Sequence, residues 1–143
     1  MTATRFLLDT NIVSEPLRPL PDRRVLQLLS RHADRLAISS VVWHELMYGA
    51  ARLPPSAART LIERYLREVV APSMEVLPYD AAAAAWHAAE RARLSRAGTT
   101  PSFADGQIAA TALVNGCTLV TRNVRDFTRF RDLAVRNWFS AAE

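Results

Sequence analysis

A chain of 143 residues, half of them hydrophobic, carries enough apolar material for one ordinary core, and its formal net charge is +4. No run approaches the roughly 18 apolar residues needed to span a bilayer, and the short apolar stretch of the N-terminus is cut off by Asp9 before it reaches signal-peptide length. Cys117 stands alone, which excludes an internal disulfide and a cysteine-based zinc cluster, so a cytoplasmic protein with no membrane partner is expected.

All 18 basic residues are arginine, a composition typical of a GC-rich genome. If several of the 14 acids gather in one pocket, the remaining surface is more basic than +4 implies and attracts a polyanion in a salt-dependent way. The plain alternative is a soluble protein with an arginine-rich exterior.

Arg5 to Leu8 reads as a short strand, with Asp9-Thr10-Asn11 as a turn or helix cap. Pro21 and Asp22 open an amphipathic helix through about Arg31, and Leu36-Ala37-Ile38 fits a second strand. Ser39 or Ser40 caps a helix through about Ala51, stopped by Pro54-Pro55. A further helix covers Ser56 to Val70, Val76-Leu77 forms a short strand, and Asp80 caps an alanine-rich helix that ends at Gly98. Ser102 starts a helix closed by Asn115-Gly116, with Cys117 read as a small buried hydrophobe after it. Thr118 to Thr121 is a strand, and Leu133-Ala134-Val135 is a final edge strand. This alternation predicts an α/β fold, a mainly parallel sheet flanked by helices, in one domain spanning residues 1–143. In such sheets ligands bind beyond the carboxyl ends of the strands, where Asp9 and the Thr121 to Asp126 loop fall.

Two acids break the expected separation of charge from core. Glu45 falls at i+3 on the stripe made by Val42, Leu46 and Gly49, and Asp105 leads a stripe of Ile108, Ala109 and Ala112. A buried carboxylate without a partner is costly, and a hard divalent cation held by several carboxylates is one way to relieve it. Each acid also has an ordinary explanation: Asp9 as a helix cap, Glu45 as the partner of an arginine, Asp105 as the acid of a capping box begun at Ser102.

Four segments together resemble PIN domains. Phe6-Leu7-Leu8-Asp9-Thr10-Asn11-Ile12-Val13-Ser14 is similar to their opening strand and first acid, and Trp43-His44-Glu45-Leu46-Met47-Tyr48-Gly49 to their second acidic motif. Phe103-Ala104-Asp105-Gly106-Gln107-Ile108-Ala109-Ala110-Thr111-Ala112 is similar to the third, and Leu119 to Phe127 to the last. Within the superfamily the chain looks most like the VapC and FitB toxins of bacterial toxin–antitoxin pairs. The resemblance implies a three-layer sandwich with an acidic pocket at the strand ends and Mg2+- or Mn2+-dependent cleavage of single-stranded or looped RNA. It also implies a homodimer and neutralisation by a cognate VapB-type antitoxin in a hetero-oligomer.

Asp9, Glu45 and Asp105 match the family's metal-binding, catalytic acids. Many members carry a further acid two residues after the threonine; here Asn123 stands there and Asp126 follows three residues on, as a further ligand or as a cap of the next turn. The implied chemistry has the metal polarise a phosphate and activate a water for in-line attack, leaving a 5′-phosphate and a 3′-hydroxyl. Thr10, Asn11 and Thr121 are candidates for fixing the acids' rotamers, and Arg122 and Arg125 for holding RNA phosphates; ordinary turn, cap and solvated-loop roles compete with these. His44 and His87 read as structural or surface residues, and Trp43, Trp86 and Trp138 as packing or interface anchors.

Two rival functions remain at this level. A haloacid-dehalogenase-like phosphotransferase also begins with an acid after its first strand, but it wants a second aspartate where Asn11 stands, and the chain has no lysine. The other rival is a PIN-like module that binds RNA or a partner without cutting.

Overall fold

The computed structural model describes residues 4–140; positions 1–3 and 141–143 of the expected domain lie outside the described residues. Five parallel strands form one sheet: β1 (Phe6–Leu8), β2 (Leu36–Ser39), β3 (Glu75–Leu77), β4 (Thr118–Val120) and β5 (Val135–Arg136), in the spatial order β3-β2-β1-β4-β5. Leu7, Leu8, Ala37, Ile38, Leu119 and Val120 are fully buried, as expected for strands covered on both faces by crossover helices. Phe6 pairs with Leu36 on one side and Thr118 on the other, so the chain order turns back at β1. The crevice beyond the carboxyl ends of β1 and β4 is therefore a topological switch point.

The helices start where side-chain caps supply acceptors for free backbone N–H groups. Asp9 caps α1 (Thr10–Val13), Asp22 caps α2 (Arg23–Arg31), Ser39 caps α3 (Ser40–Ala51) and Ser56 caps α4 (Ala57–Tyr65). The helix expected through Val70 opens into a π turn at Leu66–Val70 before α5 (Ala71–Ser73), where Pro72 lacks an N–H for the ladder. Asp80 caps α6 (Ala81–Arg96), closed by Gly98 at φ 81°; Ser102 caps α7 (Phe103–Val114), followed by Gly116 at φ 66°. Both glycines take the left-handed conformation that ends a helix cheaply. A last short helix, α8 (Val124–Phe127), precedes the edge strand, which starts two residues and ends one residue later than the sequence suggested. Cys117 is buried, and Trp138 packs edge-on against Phe6 at 5.2 Å between centroids.

Candidate active site at the switch point

Asp9 follows β1 directly, and its backbone N–H donates to the Val120 carbonyl at 2.9 Å, so the main chain docks it onto β4. Its carboxylate is 7% exposed and held at both oxygens: Thr10 N–H donates to Oδ1 at 2.8 Å and the buried Thr121 hydroxyl donates to Oδ2 at 2.7 Å. Thr121 Oγ1 in turn accepts the Asn123 N–H at 3.0 Å. Thr10 bridges to the second acid, its hydroxyl donating to Glu45 Oε1 at 2.8 Å. Asn11 Oδ1 accepts the Arg122 N–H at 3.0 Å and ties α1 to the loop after β4.

Asp105 sits in the first turn of α7, where its N–H donates to the capping Ser102 hydroxyl at 3.1 Å. Burial raises the pKa of its carboxyl; the Ser102 hydroxyl eases the shift, and the negative charges of Asp126, Asp9 and Glu45 add to it. These four acids thus share one electrostatic neighbourhood. Six other acids, including Glu15, Glu75 and Glu90, are paired with arginine, yet none of Asp9, Glu45, Asp105 and Asp126 forms an ion pair among the described residues.

Glu45 does not face the core: Val42 and Leu46 are buried, but Glu45 lies on the exposed edge of that stripe. Asp105 is half-buried; Ser102 caps its N–H, but among the described residues no bond from the Ser102 N–H to the Asp105 carboxylate completes the capping box. Asp126 makes no side-chain capping bond to its turn; only its N–H engages, donating to Asn123 O at 3.0 Å. Asn123 precedes α8 without a side-chain cap. Among the described residues no three histidine, cysteine or carboxylate side chains are drawn together into a formed metal cage.

Arg122 places its guanidinium 4.4 Å above the Phe139 ring, a cation–π contact at the edge of the crevice. Arg125 and Arg129 line a depression together with Asp105 and Asp126. Sequence reading did not foresee the support behind Asp105. His87 is buried on α6 against Gly106, with Tyr79 Oη 2.8 Å from Nδ1 and the Phe103 ring 4.9 Å away. The sole sequence signal was a glycine inside an apolar helical stripe, directly after the acid.

Residues 6–133 match the PIN domain family. The chain is 36% identical over 135 residues to the FitB toxin of Neisseria gonorrhoeae, covering 92% of this chain and 96% of that protein. It is 35% identical over 125 residues to a VapC ribonuclease of Sinorhizobium fredii, covering 85% and 89%. The crystal structure of FitAcB from Neisseria gonorrhoeae superimposes with a TM-score of 0.84 at 35% identity, over 92% of this chain and 96% of that one. With the fold, the order of its acidic segments and this match over most of its length in agreement, the chain belongs to the PIN domain family.

Proposed function

We propose that this chain is a VapC-type endoribonuclease, the toxin of a type II toxin–antitoxin pair, acting as a single cytoplasmic PIN domain that dimerises and is held inactive by a VapB-type antitoxin. The observation that carries this reading is the set of four carboxylates without cationic partners at the switch point of a parallel sheet. Relatives matched over most of their length are named ribonucleases and toxins.

The donor set fits Mg2+ or Mn2+ in kind: all oxygen and all anionic, with burial first and then the charges of Asp126, Asp9 and Glu45 raising the pKa of Asp105. Their spread beyond a closed cage suits a cation that keeps several waters and takes only one or two carboxylates directly. Asp9 and Asp105 would hold the ion, with Glu45 completing the shell or orienting a water and Asp126 reaching it from α8. When bound, such an ion supplies Lewis acidity towards a phosphate oxygen and a more acidic water.

The chain's own groups provide orientation. Thr121 and the Thr10 N–H fix both oxygens of Asp9, and the Thr10 hydroxyl aims Glu45. Arg125, which lines a depression with Asp105 and Asp126, would take an RNA phosphate as a bidentate donor. The test is Asp9→Asn, with folding followed by circular dichroism and RNA cleavage followed in Mn2+. Loss of cleavage on an intact fold is expected; cleavage at the wild-type rate would remove Asp9 from the site. Inducible expression of wild type beside Asp9→Ala, with mapping of new RNA 5′ ends, then identifies the target.

A further inference from the structure

On α3, His44 and Tyr48 stand one helical turn apart with their rings nearly parallel, 12° between planes and 6.1 Å between centroids. Both are exposed, Tyr48 by 60%. They border a concavity of about 540 Å³ between α3 and α7, within the ~300–1,000 Å³ range of small-molecule sites. Glu45, the acid tied to Thr10, shares its wall. Arg52 and Gln107 complete the rim. Arg52 forms no ion pair, and the half-buried Gln107 amide makes no hydrogen bond, among the described residues.

Gly49 adds a second observation. A glycine inside a helix costs about 1 kcal/mol relative to alanine. Packing gives no reason for it here, because a Cβ at position 49 would meet nothing within 4 Å. Gly49 lines this concavity, and a side chain there would project into unfilled space.

We infer that this concavity is a nucleobase subsite: an unpaired base of the RNA, next to the phosphate to be cut, lies against the His44–Tyr48 rings. The Gln107 amide, a donor and an acceptor at once, meets the base edge, and Arg52 takes a flanking phosphate. An aromatic face accepts any base by stacking, so the ring pair contributes affinity while Gln107 contributes discrimination. Exposed, nearly parallel rings, with an amide and a guanidinium that have no partner among the described residues, match a nucleotide better than an apolar peptide. The subsite rests on the nuclease reading above.

The test uses short single-stranded RNAs with one 2-aminopurine walked along the chain, titrated with the purified protein in EDTA. At one probe position the wild type should quench the fluorescence. Tyr48→Ala should then weaken binding by about 5- to 150-fold, the range of a lost base–aromatic stack. Tyr48→Phe should bind as the wild type, and an RNA abasic at that position should bind wild type and Tyr48→Ala alike. Gly49→Leu, which adds a bulky side chain to the lining, should weaken binding of the intact RNA alone.

If the wild type cuts RNA but Tyr48→Ala binds and quenches unchanged, the subsite is wrong and the nuclease reading stands. If the wild type neither binds nor cuts RNA, both fall. If Tyr48→Ala instead converts a sedimenting dimer into a monomer, the rings serve contact between copies of the chain and the subsite is overturned.

Discussion

The imidazole of His87 occupies the space that a Cβ on Gly106 would need, so α6 and α7 approach more closely than any side chain at position 106 allows. Gly106 directly follows Asp105, which makes this contact the foundation of one wall of the carboxylate site. Gly106→Ala should cost about 1–3 kcal/mol through overpacking, read as a lowered Tm in calorimetry. Because His87 is the group in the way, combining Gly106→Ala with His87→Ala should cost less than the sum of the single changes. Strict additivity would mean that the ring yields freely and does not set the helix spacing.

Asp105 separates its two roles by the sign of a stability change. As a cap alone, its replacement by asparagine would lower stability or leave it level. Its raised pKa, from burial and from the charges of Asp126, Asp9 and Glu45, means instead that the ionised form is strained when no metal is present. Asp105→Asn should therefore stabilise the metal-free protein by about 0.5–2 kcal/mol, as relief of a functional site does, while RNA cleavage disappears. A lower Tm together with full cleavage would assign Asp105 to capping only.

Much of this site was legible because capping and strand-end placement are local. Asp9, Ser39, Asp80 and Ser102 each cap a helix with their own side chain. The alternation of short apolar runs with helices led directly to the parallel sheet. What stayed hidden depends on tertiary approach. Helical periodicity places Glu45 near the stripe of Val42 and Leu46 but cannot say that the helix edge there is open. Nothing between positions 87 and 106 announces that a ring and a missing side chain will meet. His44 and Tyr48 are an ordinary i,i+4 pair until the concavity beside them is seen.

Glu90 carries a second, acid-sensitive support. Its carboxylate is 6% exposed and takes both prongs of Arg93, at 2.9 and 2.8 Å, plus the Arg131 N–H at 2.8 Å, while Arg93 also donates to Arg129 O. This clasp ties the segment after α8 to α6. The Arg93 hydrogen bonds outweigh burial and hold the Glu90 pKa below 4.5, so its stabilisation is complete above pH 4.5 and is lost as pH falls through the lowered folded value. Glu90→Gln should cost about 1.5–3 kcal/mol at pH 7 and flatten the loss of stability below pH 4.5 in urea titrations.

His87 should act earlier in the same acid titration. Burial first, and then the charge of Arg91, depress its pKa below 6.5, and Nε2 has no hydrogen-bond partner among the described residues. The neutral ring therefore stabilises the fold above pH 6.5, and this contribution is lost as pH falls through the depressed value. Stability in the wild type should begin to decline below pH 6.5, before Glu90 is reached. His87→Phe, which keeps a ring but cannot be protonated, should remove that first phase; its persistence in the variant would assign it to another group.

Thr121, itself fully buried, joins fold to chemistry through one hydroxyl, which donates to Asp9 Oδ2 and accepts the Asn123 N–H. Valine matches its shape but satisfies neither partner, so Thr121→Val should cost about 1–3 kcal/mol. It also frees the Asp9 carboxylate to rotate. Loss of an outer hydrogen bond to a metal-binding acid typically lowers metal affinity or activity about 10- to 100-fold, so the Mn2+ concentration for half-maximal cleavage should rise in that range. Thr121→Ser, which keeps the hydroxyl, should restore the metal dependence even if it loses a little stability. Equal metal dependence in Thr121→Val and wild type would leave Thr121 a role in the loop alone.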